Sequence, residues 1–424
     1  GSGTVTIANL QGGTDLSNVT AATTVQLAGN VTFTGTFNAS TAVTFDTNSN
    51  GTARTIDITG ATNLPSSISV DNDVTLTMTA AQANGLTATG SGAISITALH
   101  STLAANLSGI DTTTTTAAFD DDGTFTGTLD GAVVTVATGK TMTAAANLVA
   151  GETVNQSGSG ALAVKIGTAD AAINLEEIGG DAFASVSVFE DTTFTGTLDG
   201  TISTSVDNGI TLTLDQAKVT GKTVTGAGDI TITAVGASTN LTNVNPSGGV
   251  TANLNDGVNI SANSQLGNID NITFTSGADA TLSIAQQNKI TAGDGSNTVT
   301  LSEAGTVIGS SFIEIYNLFN ASGNDFTAAA TGQTVVGTAS VDIIRGGDGA
   351  DTITGGDGLD ALTGGGGGDR FVFDSTDAFT NVDSSSVYET ISDFTTASDT
   401  LYFGAAVDAY SEVSGHEFVA SSFD

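Results

Sequence analysis

Cysteine and tryptophan are absent from this 424-residue chain, histidine occurs twice, and lysine and arginine together number only 8. Each shortage removes a class of answer. Without cysteine there is no disulfide framework and no thiolate zinc site. With His100 and His416 alone, and no Gly-x-Ser-x-Gly, neither a serine hydrolase triad nor a zinc centre can be assembled. His416-Glu-Phe-Val-Ala420 starts like a zinc-protease helix but puts Ala420 where the second metal-binding histidine would stand. The 44 acids set against so few basic residues leave a formal charge of −36, which argues against a nucleic acid or an anionic membrane surface as partner. No apolar run is long enough to span a bilayer. Aromatics make up 5% and give a sugar ring little to stack on, so the expectation is a protein that is not an enzyme. Gly1-Ser-Gly-Thr4 carries neither a start methionine nor a signal-peptide pattern, and the chain is read as a processed form.

What is present is small and β-branched. From Gly3 to about Gly305, Thr or Ser alternates with Val, Ile, Leu or Phe in short runs separated by Gly, Asn and Asp, as in Val74-Thr-Leu-Thr-Met-Thr79 and Ile230-Thr-Ile-Thr233. Period-two alternation of this kind predicts strands. Short helical turns are expected near Ala80–Gly85 and Asp215–Gly221. The segments also resemble one another: Met78, Met142, Leu214 and Ile284 mark similar stretches 64, 72 and 70 residues apart, and Phe125-Thr-Gly-Thr-Leu-Asp-Gly131 recurs 69 residues on at Phe194. Units that cannot bury an apolar face alone stack on their neighbours, so the prediction is an all-β, elongated repetitive array, either a solenoid or stacked β modules. Duplicated β-sandwich domains share the same strand spacing and remain the alternative.

Beyond the array the composition changes. Residues 337–424 hold 16 of the 44 acids against two basic residues, Arg345 and Arg370, so the demand for a counter-cation lies at this end. Within it, Gly346 to Val372 reads as three consecutive nine-residue units that begin at Gly346, Gly355 and Gly364. Each fits G-G-x-G-x-D-x-U-x, where U is large and apolar. Glycines at the first, second and fourth positions, Gly349, Gly358 and Gly367 being the fourth, permit tight turns with positive φ. The sixth position supplies Asp351, Asp360 and Asp369, whose oxygens suit a hard divalent cation. The eighth supplies Ile353, Leu362 and Phe371, one inward apolar residue per turn. Holding Asp and an apolar residue in phase over three periods argues against a flexible linker. Decayed turns lead into these units: Ala292–Thr300, with Asn297 in the place of Asp, then Gly323–Phe326, then Gly337–Ile344 with Asp342. The aromatic stretch Ser311–Phe319 is expected to pack as a plug or connector.

These units resemble the calcium-binding nonapeptide repeats of the RTX family. The resemblance is to surface-layer-type RTX proteins exported by type I secretion, and it covers about the last fifth of the chain in motif. It implies a parallel β-roll holding several Ca2+ ions between turns. Asp351 and Asp369 would share an ion on one face, and Asp342 and Asp360 on the other. Asp348 and Asp357 hold the third position, where backbone carbonyls usually ligate, and Gly366 stands there in the last unit. Asp393 and Asp399, in the segment that caps the roll, complete the candidate ligands, with an uncleaved export signal expected beyond the cap.

The chain therefore divides into a β array over 1–305, a connector with degenerate turns over 306–336, the calcium roll over 337–373, and a β cap over 374–424. A separate calcium loop is considered at Asp46-Thr-Asn48-Ser-Asn50-Gly51 with Asp57 at the twelfth position, spacing shared with an EF-hand loop. The function expected is an extracellular bacterial structural protein that assembles with itself into a calcium-dependent surface layer or filament. Cell-surface polysaccharide is a further candidate partner; nucleic acid and a membrane span are not expected. The alternative is a piece of a large RTX adhesin serving as spacer or ligand-binding module.

Overall fold

A computed structural model describes residues 4–8, 10–47, 51–319, 321–373 and 390–403. The chain is all-β, with 7% helix, wound as parallel β-solenoid of about 18 turns in all, distributed over two units. The alternating runs become strands for the expected reason. In Val74–Thr79 the residues Val74, Leu76 and Met78 point inward and are at most 2% exposed, while the threonines between them face outward. Strand pairings among the described residues are parallel, and this removes the sandwich alternative, which needs antiparallel hairpins.

The first unit holds residues 1–212 and 222–227. Val5–Ala8 pairs with Thr23–Gln26, that strand with Ala42–Asp46, and that with Ser67–Val70. The register stacks Val25, Phe45 and Val70 as an inward column in which each is fully buried. It also stacks Thr6, Thr24, Thr44, Ser69 and Thr89 as an outward hydroxyl column. Paired strands begin 18 residues apart at Val5 and Thr23 but 25 apart at Ala42 and Ser67, so the coil tolerates insertions in its loops. The marker spacing of 64 to 72 residues therefore covers about three coils, and the coil is the physical unit. One source of the longer period is a one-turn helix, found at Ala80–Ala83 and Ala146–Val149 in this unit and at Gln216–Val219 and Ile284–Gln287 in the other.

A second source is the Phe-Thr-Gly-Thr motif. Phe33, Phe125 and Phe194 are each at most 1% exposed, and the glycine two residues on passes directly over a carbonyl of the preceding coil. At Gly35, Gly127 and Gly196 a Cβ would collide with Thr14 O, Ala105 O and Ile173 O respectively, and with the ring of its own phenylalanine. Glycine is required there by close approach, and the phenylalanine fills the space that the turn encloses.

The second unit holds residues 213–221 and 228–424. From Thr298 onward its coils become short and two-sided. One sheet runs through Thr298–Leu301, Ile315–Asn317, Thr334–Val336, Thr352–Thr354, Arg370–Phe373 and Thr400–Phe403. The other runs through Thr306–Ile308, Asp325–Thr327, Ile343–Arg345, Ala361–Thr363 and Thr390–Ile391. Val299, Tyr316, Val335, Ile353 and Phe371 form one inward column, and Val307, Phe326, Ile344 and Leu362 the other; none is more than 2% exposed.

Residues 306–336, the expected connector with degenerate turns, run on into the roll through paired strands. They form coils in register with the roll, because Tyr316 takes the inward position that Ile353 takes further on and is fully buried against Phe326 at 4.9 Å. Of the expected cap, Thr390–Ile391 and Thr400–Phe403 continue the two sheets in parallel. Residues 374–389 and 404–424, which include His416 and most of the expected cap, lie outside the described residues.

Candidate metal centre

The roll turns on nine-residue half-coils, and the residue just before each short strand sits at the bend. On the first sheet these residues are Asn297, Glu314, Gln333, Asp351, Asp369 and Asp399. On the second they include Asn324, Asp342 and Asp360. Asp342 is fully buried, and Asp351, Asp360 and Asp369 are 1% exposed.

Each carboxylate reaches one coil back and accepts the amide of its counterpart. Gln333 N donates to Asp351 Oδ1 at 2.6 Å, Asp351 N to Asp369 Oδ1 at 2.9 Å, and Asp369 N to Asp399 Oδ1 at 3.0 Å. In the other column Asn324 N donates to Asp342 Oδ1 at 2.6 Å and Asp342 N to Asp360 Oδ1 at 2.8 Å. The sixth-position Asp thus builds the turn as well as offering charge. Among the acids of the first column, Oδ2 of Asp351 and Oδ2 of Asp369 are buried with no hydrogen-bond donor. A buried carboxylate oxygen without a donor is costly, and a cation is the partner that relieves it.

The electrostatics agree. Burial and the nearby Asp369 charge push Asp351 up to about 6, against the opposing hydrogen bond from Gln333. Asp369 is raised as well, first by burial and then by the carboxylates of Asp399 and Asp393, against the bond from Asp351 N. The glycines of the motif leave the room that such a site needs. At Gly346 a Cβ would stand 2.6 Å from Asp351 Oδ2 and would also strike Gly364 O, and at Gly364 it would strike Asp369 Oδ2. Gly347 and Gly356 adopt φ of 98° and 93°, and Gly358 and Gly367 φ of 148° and 126°. Gly365, at φ 93°, sits over Gly347 O, and Gly367 over Gly349 O, so loop carbonyls crowd the same bends as the carboxylates. Among the described residues no three His, Asp or Glu side chains converge, so an ion held here would draw most of its ligands from these carbonyls, as Ca2+ accepts.

Residues 336–371 match the family model described as the RTX calcium-binding nonapeptide repeat, in four copies. The chain carries RTX repeats. The fourth copy is the unit beginning at Gly337, whose Thr338 and Ser340 replace the second and fourth glycines. No curated protein and no solved structure matches the chain. RTX repeats bind calcium in general, and the donor set around Asp351 and Asp369 fits that ion.

The remaining sequence candidates are placed as follows. Asp348 is exposed and Asp357 half-buried, and Gly366 is exposed beside Asp348. Gly355 O faces Gly337. Asp393 accepts the amides of Gly364 at 2.8 Å and Gly365 at 2.7 Å, and so ties the segment after the roll to its last loop. Asp399 accepts from Thr395 N at 2.8 Å and Ser398 Oγ at 3.1 Å in addition to Asp369 N.

At the other candidate loop, Asp46 ends the strand Ala42–Asp46 and Asp57 ends Arg54–Asp57, where Asp57 Oδ1 accepts from Thr59 N at 2.9 Å. Asp46 faces Asp71, whose carboxyl is raised by burial and then by the Asp46 charge. Asn48 and Asn50 lie outside the described residues. The acidic run Asp120-Asp121-Asp122 is engaged by the neighbouring coils, Asp120 with His100, Asp121 with Ser101, and Asp122 with Lys140 and Thr141.

Sequence reasoning missed three participants: Asn324, Gln333 and Thr338. Asn324 and Gln333 stand one residue before a strand and 18 residues before Asp342 and Asp351, so extending the Asp register upstream finds them.

Proposed function

We propose that this chain is an extracellular structural protein whose RTX roll orders on calcium and whose coils assemble with further copies into a surface layer or filament. The observation that carries the calcium part is the pair Asp351 and Asp369, one coil apart, each buried with a carboxylate oxygen that no donor meets. Loop carbonyls and the two carboxylates would hold the ion, which supplies the positive charge that the fold itself lacks. Assembly is supported by regular outward columns of hydroxyls and by a formal charge of −36, which keeps copies apart until cations screen it. No helix among the described residues is long and apolar enough to cross a membrane, and attachment to cell-surface polysaccharide would suit such a subunit. The second reading, a spacer or binding module of a larger RTX adhesin, rests on the same coils used singly. Electron microscopy of purified protein with calcium and with EGTA separates them. Ordered sheets or fibres that EGTA dissolves support the first; single particles that calcium only stiffens support the second. Assemblies unchanged by chelator sink the calcium claim.

A further inference from the structure

We infer that calcium dependence begins at Gly346, and that the preceding turn, Gly337–Asp342, is closed by hydrogen bonds alone and forms the metal-free template on which the later turns order. The inference rests on the calcium reading above and divides the four repeats that it treats alike.

The division is visible in how each carboxylate is satisfied. A carboxylate offers about four lone-pair sites. Asp342 has all of them filled: Oδ1 accepts from Asn324 N at 2.6 Å and Asn324 Nδ2 at 2.8 Å, and Oδ2 from Thr338 N at 2.8 Å and Thr338 Oγ1 at 2.9 Å. Asp342 itself has nothing left over for a cation, and the buried oxygen without a partner at this bend, Asn324 Oδ1, belongs to a neutral amide. Asp351 and Asp369 each have Oδ2 without a donor. The cause is in the sequence. Thr338 supplies a hydroxyl where the later units have Gly347, Gly356 and Gly365, which have no side chain to donate. Asn324 supplies an amide one coil back, where Asp360 and Asp369 have Asp342 and Asp351 behind them.

The turns further upstream use the same device with the polarity reversed. Gln333 Nε2 donates to the loop carbonyls Ser310 O, at 2.9 Å, and Ile313 O. Asn268 Nδ2 donates to Leu241 O, Thr242 O and Val244 O at 3.1, 3.2 and 2.9 Å, and Gln286 Nε2 to Ile260 O at 2.8 Å. A neutral amide nitrogen brings its own protons to converging carbonyls, whereas a carboxylate at the same bend brings none and needs an external positive partner. Amide clips at Asn268, Gln286 and Gln333 thus meet loop carbonyls upstream, Asp342 has donors on both of its oxygens, and the buried carboxylate oxygens without a donor start one half-coil later, at Asp351.

Hydrogen exchange on the full chain, read by peptide mass with calcium and with EGTA, tests this directly. Peptides up to residue 345 keep their protection in EGTA, while peptides within 346–373 lose it. If 337–345 loses protection in parallel with 346–373, the inference is overturned and the calcium reading stands. If chelator alters no peptide, the calcium reading itself falls and takes the inference with it. The variant Thr338→Gly restores the family glycine and removes a donor, so protection of 337–345 in EGTA drops about tenfold or more, the scale of one hydrogen bond to a charged group. Unchanged protection in that variant refutes the role given to the hydroxyl.

Discussion

Replacing Asp351 with Asn has effects of opposite sign with and without calcium. The Asp351 carboxyl sits at about 6 in the fold against an ordinary value near 3.8. At roughly 1.4 kcal/mol per pH unit, charging it in the metal-free fold costs up to about 3 kcal/mol, and about 1–3 once residual solvent screening is allowed for. Asn keeps an oxygen to accept from Gln333 N and discards the charge. In EGTA at pH 8, protection of residues 346–373 therefore rises by roughly 5-fold to 100-fold in Asp351→Asn. In saturating calcium the same substitution removes a ligand, and protection falls below that of the parent. Hydrogen exchange in the two conditions measures both. Loss of protection in EGTA as large as in calcium refutes the reasoning, since Asp351 would then be a hydrogen-bonding residue whose charge does not matter. The parent protein has a matching pH dependence in EGTA. A carboxyl whose pKa is raised on folding contributes stability fully present below about 4 and lost as pH rises through about 6, so the metal-free roll melts higher at pH 4.5 than at pH 7.5. Calcium at neutral pH cancels that slope.

The other predictions separate the coils from the roll. Gly364→Ala places a methyl against Asp369 Oδ2, so calcium uptake measured by titration calorimetry drops by at least one ion while the array keeps its circular dichroism; an unchanged ion count removes Gly364 from the site. Phe194→Ala empties a position that is 1% exposed and costs about 3–5 kcal/mol in the first unit, equally in calcium and in EGTA. Gly196→Ala drives a Cβ into Ile173 O and destabilises the same coil, again without regard to calcium. A dependence of either effect on chelator contradicts the assignment of the first unit to metal-free folding.

The sequence is legible where one residue type repeats in one phase. The Gly-Gly-x-Gly-x-Asp units gave the bends, the inward Asp residues and the inward Ile353, Leu362 and Phe371, because a nine-residue half-coil leaves no freedom for insertion. The array was legible in class but not in period. Its strands alternate plainly, yet coil lengths vary as loops lengthen, so the eye caught the Phe-Thr-Gly-Thr corners and the one-turn helices and missed the coil between them. Ser311–Phe319 misled because aromatic content suggests a plug, whereas Tyr316 simply fills a wider coil, its hydroxyl meeting Ser310 N at 2.7 Å and Gln287 Nε2 at 3.2 Å. The amide clips were hidden for a different reason: Asn and Gln occur throughout the chain, and only the register shows which of them reach back one coil.

Two kinds of bend give the chain two kinds of stability. An amide clip has its hydrogen bonds made by the chain itself, so the coils that use it have a stability set by sequence. A buried carboxylate with an unmet oxygen lowers the stability of its turn until a cation arrives, after which binding adds RT ln(1 + [Ca2+]/Kd), about 2.7 kcal/mol at a hundredfold excess over Kd. On the inference drawn above, that gain would start with the turns from Gly346 on, because Asp342 has no lone pair left to offer. A change in calcium concentration can then order or loosen the roll while the array keeps its columns. It follows that calcium would control assembly through the contacts the roll makes, and that copies whose roll is held by Asp351→Asn and Asp369→Asn should assemble without regard to chelator. Assembly of that double variant which still dissolves in EGTA would place the controlling ion outside the roll.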